Sequence, residues 1–226
     1  MQKSDYYDYS PVRIFDKCTD GGLKTGEIGL VTAKKGLGKT SVLVQFGMDL
    51  LSQGKQLVHV SFDQHSSNVI SWYESIFNET AKKRNISNVS EVKAEMVRDR
   101  TILNFNQETF SLIKVINTLK ALKDGGINVS AVVIDGVDLS KVSVEDMKAV
   151  SDFTKSEKVV TWFSATAESE ALNDSVPSTL QSYFNGVIHL NPKQDGVYVS
   201  IVKFHGIKNS PDVLRLDPKT LLMTAK

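Results

Sequence analysis

Residues 33–40 read Ala-Lys-Lys-Gly-Leu-Gly-Lys-Thr, and this stretch decides both the fold class and the first site. The mostly apolar residues 28–32 precede it as a short strand would, and the run from Ser41 to Phe46 is typical of a buried helix. A strand, a glycine-rich turn and a helix in this order bring backbone N–H groups and the positive end of a helix dipole to one point. The stretch therefore predicts a loop that binds a polyphosphate.

The residues of this loop have separate expected roles. Lys39 is expected to reach the β- and γ-phosphates of a nucleoside triphosphate, and the Thr40 hydroxyl is expected to bind Mg²⁺. The pattern G-x-x-x-x-G-K-[ST] is broken at its first position, where Ala33 replaces glycine and would resist a left-handed backbone angle. The residues expected to surround the phosphates are Lys35, Gly36, Leu37, Gly38, Lys39, Thr40 and Ser41.

The composition is that of an ordinary globular chain. Its 226 residues are 41% hydrophobic and 23% charged, so we expect one domain over residues 1–226 with a full core. A net charge of +1 gives the whole chain no attraction to nucleic acid or anionic membranes. Cys18 is the only cysteine, which excludes an internal disulfide. Without an export signal or a membrane-length apolar run, the chain is expected to be soluble and cytoplasmic.

Apolar β-branched runs alternate with helical periods along most of the chain. This alternation predicts an α/β fold with a mostly parallel sheet flanked by helices. The predicted strands are Ile28–Thr32, Gln56–Phe62, Thr101–Asn104, Ala131–Asp135 and Val159–Ala165. The predicted helices are Lys39–Gln53, Val69–Arg84, Glu91–Val97, Thr109–Lys123 and Val144–Lys155.

The pattern changes after Gly186, where short strands follow one another without helices. These strands are predicted at Val187–Asn191, Val197–Phe204 and Val213–Asp217. Turn residues separate them at 195–196 (Asp-Gly) and 209–211 (Asn-Ser-Pro). The segment predicts antiparallel strands added at the C-terminal edge of the sheet.

Asp135 is the second residue that fits phosphate chemistry. It follows four apolar residues, 131–134, and ends a predicted parallel strand. A carboxylate at this end of a strand, beside a phosphate loop, can hold Mg²⁺ through water. The alternative is an ordinary turn residue after a buried strand.

With these elements the chain resembles the RecA superfamily of P-loop ATPases, and within it the KaiC-like branch. Residues 21–27, Gly-Gly-Leu-Lys-Thr-Gly-Glu, are similar to that branch's lead-in, and residues 202–206, Val-Lys-Phe-His-Gly, resemble its Lys-x-Arg-Gly element. The resemblance implies a RecA-like fold, ATP and Mg²⁺ as cofactors, and a homo-oligomer, either a hexameric ring or a filament. It also implies that Lys203 acts on the neighbouring subunit's nucleotide, together with His205 in the place of an arginine.

The resemblance further implies a general base directly after the second strand. KaiC-like proteins carry glutamate there, whereas this chain reads Asp63-Gln64. Asp63 can polarise a water molecule, but Gln64 can only orient one; alternatively both are ordinary polar residues. Ser164 takes the place of a residue that senses the γ-phosphate, although any small residue fits there. These departures predict slow Mg²⁺-dependent hydrolysis, or a regulatory or scaffold protein that binds ATP without turnover.

Other interpretations of the same residues are weaker. Lys34 resembles the interface lysine in the deviant loop of partitioning and septum-site ATPases, but Lys35 replaces a glycine of that loop. A DNA motor is disfavoured because residues 167–186 are acidic and contain no lysine or arginine. We therefore expect a protein partner or further copies of the chain, and neither nucleic acid nor membrane. Trp72 and Tyr73 are expected to pack in the core or at an interface.

Overall fold

The computed structural model describes residues 3–62, 64–84, 89–106, 108 and 111–226. The helices are α1 Lys3–Tyr9, α2 Val12–Cys18, α3 Lys39–Ser52, α4 Ser66–Arg84, α5 Val89–Arg98, α6 Leu112–Asp124, α7 Val144–Ser156 and α8 Leu172–Ser175. The strands are β1 Ile28–Ala33, β2 Gln56–Ser61, β3 Arg100–Asn104, β4 Val129–Asp135, β5 Val160–Thr166, β6 Gly186–Lys193, β7 Gly196–Phe204, β8 Ile207–Leu216 and β9 Met223–Thr224. None of the described helices combines the length and the apolar character needed to cross a membrane.

The nine strands found among the described residues form one sheet in the order β3-β2-β4-β5-β1-β6-β7-β8-β9. The first six strands in this order are parallel, and β7, β8 and β9 continue the sheet in antiparallel pairs. The predicted fold class is therefore confirmed. The prediction for residues 187–191 needs one refinement, since β6 is parallel to β1 before the chain turns back into β7.

The register of the parallel strands determines where a site forms. Ala33 at the end of β1 pairs with Thr166 at the end of β5, and Asp135 at the end of β4 pairs with Ser61 of β2. The carboxyl ends of these strands thus meet at one edge of the sheet, where α/β proteins bind their ligands.

Helix α3 follows the glycine-rich loop and is buried almost all round. Nearly every residue from Ser41 to Ser52 is inaccessible to solvent, as expected for a helix that is apolar on several faces. A Cβ atom at Gly47 would lie 2.7 Å from the Tyr73 hydroxyl, so only glycine allows this close packing against α4. One apolar core lies between the sheet and helices α1–α5, and a second lies between the sheet and helices α6 and α7.

The N-terminal helices α1 and α2 are absent from the sequence-based prediction. Phe15 of α2 is fully buried and meets Phe46 and Phe204 edge-on, at ring-centroid distances of 5.0 and 5.5 Å. Arg13 forms an ion pair with Asp49 of α3. The two helices therefore cover the outer side of the helix that begins at the loop.

The predicted turn at residues 209–211 is wrong. The chain reverses at His205-Gly206, and residues 209–211 lie inside β8. Asn209 and Asp212 have φ angles of +50° and +51°, and the register between β7 and β8 shifts in this region. Asn and Asp tolerate left-handed angles, so this turn-like sequence forms an irregular strand. The predicted helix from Thr109 begins at Leu112, and Thr109 itself lies outside the described residues.

Candidate functional site

A cavity of about 730 Å³ lies at the carboxyl edge of the parallel strands. Gly36 and Gly38 line it with φ angles of +85° and +96°, which turn the loop around this space. Ala33 is buried in β1 and is not among the residues with positive φ, so the expected penalty for losing glycine there is wrong. Leu37 packs against the core and is not among the described residues that line the cavity.

Lys39 lies over the loop rather than in solvent. Its Nζ is 3.2 Å from the Ala33 carbonyl oxygen, 3.4 Å from that of Lys34 and 3.4 Å from the Thr166 hydroxyl. Only 9% of the residue is exposed, and it lines the cavity. The ammonium group is therefore positioned by neutral oxygens at the point where the loop would hold phosphate.

Asp135 is held by two hydroxyl groups at the same edge. Thr40 donates to its Oδ2 at 2.7 Å, and Ser164 donates to its Oδ1 at 2.5 Å. Burial raises the pKa of Asp135, while the two hydrogen bonds and the charge of Lys39 oppose that rise. A hydroxyl and a carboxylate in contact are the oxygen donors that Mg²⁺ prefers, so these residues fit the predicted metal.

Ser164 does not have the position expected of a γ-phosphate sensor. It is fully buried, donates to Asp135 and accepts from the Gly136 N–H at 2.9 Å. Thr166, two residues further on, is exposed and lines the cavity beside Lys39. Residues 164 and 166 share a face of β5, so the difference comes from their position along the strand. Thr166 is the last residue of β5 and lines the cavity, whereas Ser164 lies inside the sheet.

His59 lies beneath Asp135 and was not identified from the sequence. Its Nε2 is 3.9 Å from Asp135 Oδ2, and its Nδ1 is 3.0 Å from the Tyr73 hydroxyl. Burial and the nearby charge of Arg100 lower the pKa of His59 to about 3, so the imidazole is neutral. The sequence contains one indication of this contact, a polar residue in the middle of an apolar strand. A buried polar side chain normally has a hydrogen-bond partner.

Gln64 contacts the proposed metal ligand directly. Its Nε2 donates to the Thr40 hydroxyl at 2.9 Å, and its side chain lines the cavity. Asp63, the predicted general base, lies outside the described residues. Gln64 therefore lies at the cavity beside the Thr40 hydroxyl.

Lys203 and His205 lie near the amino ends of the parallel strands, whereas the loop lies at their carboxyl ends. Lys203 pairs with Val187 near the start of β6 and donates to the Gln181 carbonyl oxygen at 2.7 Å. His205 Nε2 is 2.8 Å from Glu27 Oε2, just before β1 begins. Within one chain, neither residue reaches the cavity.

The remaining charged residues do not support the weaker interpretations. Lys34 is exposed and pairs with Glu168 at 3.4 Å. Arg100 stacks over Tyr73, with its guanidinium carbon 4.4 Å from the ring centroid. Tyr73 is buried as expected, but Trp72 is half-buried and lines the cavity.

Comparison with known families identifies the family to which the chain belongs. The model of the family described as "ATPase: KaiC" matches residues 10–195, which is most of the chain. The match includes the loop, Asp135 and Ser164, and it ends before the element at residues 202–206. No curated protein matches the chain. The chain therefore belongs to the KaiC family of RecA-like, P-loop, ATP-binding proteins.

Proposed function

We propose that the protein is a slow, Mg²⁺-dependent ATPase whose site is completed by a neighbouring subunit. In this proposal Lys39 binds the phosphates, Thr40 and Asp135 hold Mg²⁺, and Asp63 is the general base. The bound nucleotide controls assembly of the chain or its affinity for a protein partner. Mg²⁺ would supply charge neutralisation at the phosphates, and the residues of the chain supply orientation.

The main support for the proposal is the distribution of charged residues around the cavity. Among the described residues that line it, the cations are Lys35 and Lys39, both from the loop itself. Phosphoryl transfer spreads negative charge over the terminal phosphate, and further cations accelerate it strongly. The resemblance implies that Lys203 and His205 are the cations that stabilise this charge. In their own chain both lie at the end of the parallel strands opposite to the cavity. They can act only on the site of another copy, as heterologous contacts in a ring or filament allow.

The expected slow rate follows from two residues. Gln64 lines the cavity but cannot accept a proton, which leaves Asp63 as the base. His205 carries a full positive charge only when it is protonated, whereas an arginine is always charged.

A second candidate function is nucleotide binding without hydrolysis. The contact between Gln64 and Thr40 favours it, because an amide bound to the metal-ligand hydroxyl is not oriented toward an attacking water. In that case ATP would regulate a scaffold through its presence alone.

ATP turnover measured on size-separated oligomers, with and without Mg²⁺, distinguishes these functions. The proposal expects Mg²⁺-dependent phosphate release in the oligomer and much less in the monomer at equal ATP occupancy. ATP binding without any phosphate release would establish the second function. Equal turnover in monomer and oligomer would contradict a site that needs a neighbour.

A further inference from the structure

His59 has one buried ring nitrogen that makes no hydrogen bond. The residue lies in the middle of β2 and is fully buried. Its Nδ1 is 3.0 Å from the Tyr73 hydroxyl, but its Nε2 has no hydrogen-bond partner in the part of the chain that the structure describes. Such an atom costs free energy and therefore requires an explanation. Nε2 lies 3.9 Å from Oδ2 of Asp135, and this neighbour suggests one.

The Tyr73 hydroxyl determines which nitrogen of His59 carries the proton. Tyr73 is 1% exposed, and among the described residues its hydroxyl forms a hydrogen bond with His59 alone. A buried phenol normally donates its proton, so the Tyr73 hydroxyl donates to Nδ1. A neutral imidazole has one donor and one acceptor nitrogen, and the proton is then on Nε2. The Nε2–H group therefore lies beside the Asp135 carboxylate.

Tyr73 cannot easily move away from His59. Its ring meets the imidazole edge-on, with 5.6 Å between ring centroids, and the guanidinium carbon of Arg100 lies 4.4 Å from its own centroid. On the third side, the glycine at position 47 of α3 leaves no room for a Cβ atom beside the Tyr73 hydroxyl. The packing of α3, α4 and β3 therefore fixes the orientation of His59.

The Nε2–H group adds a third neutral donor around Asp135. Thr40 and Ser164 already donate to its two oxygens. A distance of 3.9 Å is too long for a hydrogen bond, but the N–H dipole acts on the carboxylate in a space from which water is excluded. A neutral donor holds the carboxylate without bringing a positive charge, which would repel a metal cation.

We propose that His59, fixed by Tyr73, positions the Asp135 carboxylate for Mg²⁺. This inference rests on the metal site proposed above. Among the described residues His59 does not line the cavity, so it acts through Asp135 and is a positioning residue. Groups that orient a metal-binding carboxylate typically change metal affinity by about 10- to 100-fold when they are removed. We expect about a tenfold loss, since the contact is longer than a hydrogen bond.

The position of the proton can be measured in the metal-free protein. The chain has four histidines, and ¹⁵N spectra of histidine-labelled wild type and His59→Gln identify the signals of His59. The expected spectrum is that of a neutral ring with its proton on Nε2. A ring with its proton on Nδ1, or with protons on both nitrogens, would overturn the inference.

The Mg²⁺ dependence of ATP binding gives the second measurement. By calorimetry, Tyr73→Phe and His59→Leu should raise the Mg²⁺ concentration at half-saturation about tenfold and leave ATP affinity without Mg²⁺ unchanged. His59→Gln keeps an N–H donor on a side chain of similar length and should recover most of the loss. Tyr6→Phe is the matched control, because it removes an equally buried hydroxyl that donates to Thr80 at 3.4 Å.

The outcomes separate this inference from the function on which it rests. Wild-type Mg²⁺ affinity in both Tyr73→Phe and His59→Leu would overturn the positioning role alone. An equal loss in Tyr6→Phe would also overturn it, because the effect would then be a general loosening of the core. If Mg²⁺ did not change ATP binding in wild type, the proposed metal site and the positioning role would both be wrong.

Discussion

At the scale of single residues, Thr40 joins the parts of the site. Its hydroxyl donates to Asp135 and accepts from Gln64, and a hydroxyl has one proton and two lone pairs. It can therefore keep its bond to Asp135 and still offer a lone pair to Mg²⁺. Asp135 at the end of β4 and Gln64 after β2 are therefore joined through this one oxygen atom.

Lys39→Ala is expected to remove ATP binding, with a loss of affinity of about a hundredfold or more, because charge-assisted contacts to phosphate are lost. Lys34→Ala is the matched control. Lys34 is exposed and paired with Glu168, so its loss should change ATP affinity little. Titration calorimetry measures the ATP affinity of both variants and of wild type. Equal affinities in Lys39→Ala and wild type would contradict the assignment of residues 33–40 as the phosphate loop.

His59 predicts a pH dependence of stability in the Mg²⁺-free protein. Its pKa is lowered to about 3 by burial and by Arg100, with Tyr73 and Asp135 as its other polar neighbours. Between this value and the ordinary 6.5, the unfolded chain binds a proton that the folded chain does not bind. The contribution of His59 is therefore fully present above pH 6.5 and is lost as the pH falls.

The expected loss is about 3 kcal/mol between pH 6.5 and pH 4. Urea denaturation of wild type and of His59→Gln at several pH values isolates the contribution of His59 to the unfolding free energy. All other titratable groups are present in both proteins, so their contributions cancel in the difference. The difference in unfolding free energy between the two should change with pH by this amount. A constant difference would show that His59 is protonated in the folded protein.

At the scale of elements, α2 stabilises the helix that carries the loop. Arg13 of α2 pairs with Asp49 of α3, which is 2% exposed and also accepts from Gln53 at 2.8 Å. Arg13 also pairs with Asp16 at 2.8 Å. Removing one partner of a buried ion pair leaves an uncompensated charge.

We expect Arg13→Ala to lower the unfolding free energy by about 3 kcal/mol. Arg98→Ala, on the exposed face of α5, should change it by less than about 0.5 kcal/mol. Denaturant unfolding of the two variants beside wild type makes the comparison. Similar stabilities for both would mean that the ion pair does not hold α2 on α3.

The elements predicted well from the sequence are those whose signal is local. The parallel strands are continuous apolar runs, and the loop at residues 33–40 is specified by its own glycines. Helix α2 has no such signal, because Phe15 is buried only through contacts with Phe46 and Phe204. The turn-like sequence at 209–211 lies in β8 since pairing with β7 overrides the local preference.

The candidate site was predictable to the same extent. Lys39, Thr40 and Asp135 follow from short motifs; all three line one cavity, and Thr40 donates to Asp135. Thr166 and Trp72 could not be predicted as cavity residues from the sequence. The hydrophobic periodicity of a segment shows neither which residue ends a strand nor which side of a helix faces a cavity. Their positions follow from the register of β5 and the packing of α4.

At the scale of the whole molecule, the proposed site residues lie at two opposite ends of the parallel strands. The loop, Asp135 and the cavity are at the carboxyl edge of the parallel strands. Lys203 and His205 are at the other edge, and they are held there by Gln181 and Glu27. This separation within one chain is the geometry expected of a site that two subunits share.

Replacing His205 with arginine should raise turnover in the oligomer by about tenfold, because a guanidinium stays charged and binds phosphate oxygens as a fork. The gain is expected in kcat and not in KM, since the cation acts on charge that develops in the transition state. Lys208→Arg, on the following strand β8, is the matched control and should leave kcat unchanged. A gain confined to KM would indicate a contact made equally in the ground state.

Mixing Lys203→Ala subunits with Lys39→Ala subunits tests the shared site most directly. Each variant alone should be inactive, but an equal mixture contains interfaces that pair an intact loop with an intact Lys203. In a head-to-tail assembly these make up about a quarter of all interfaces, so about a quarter of the wild-type turnover should return. No recovery, in a mixture that native mass spectrometry shows to contain hybrid oligomers, would contradict a site completed by the neighbouring subunit.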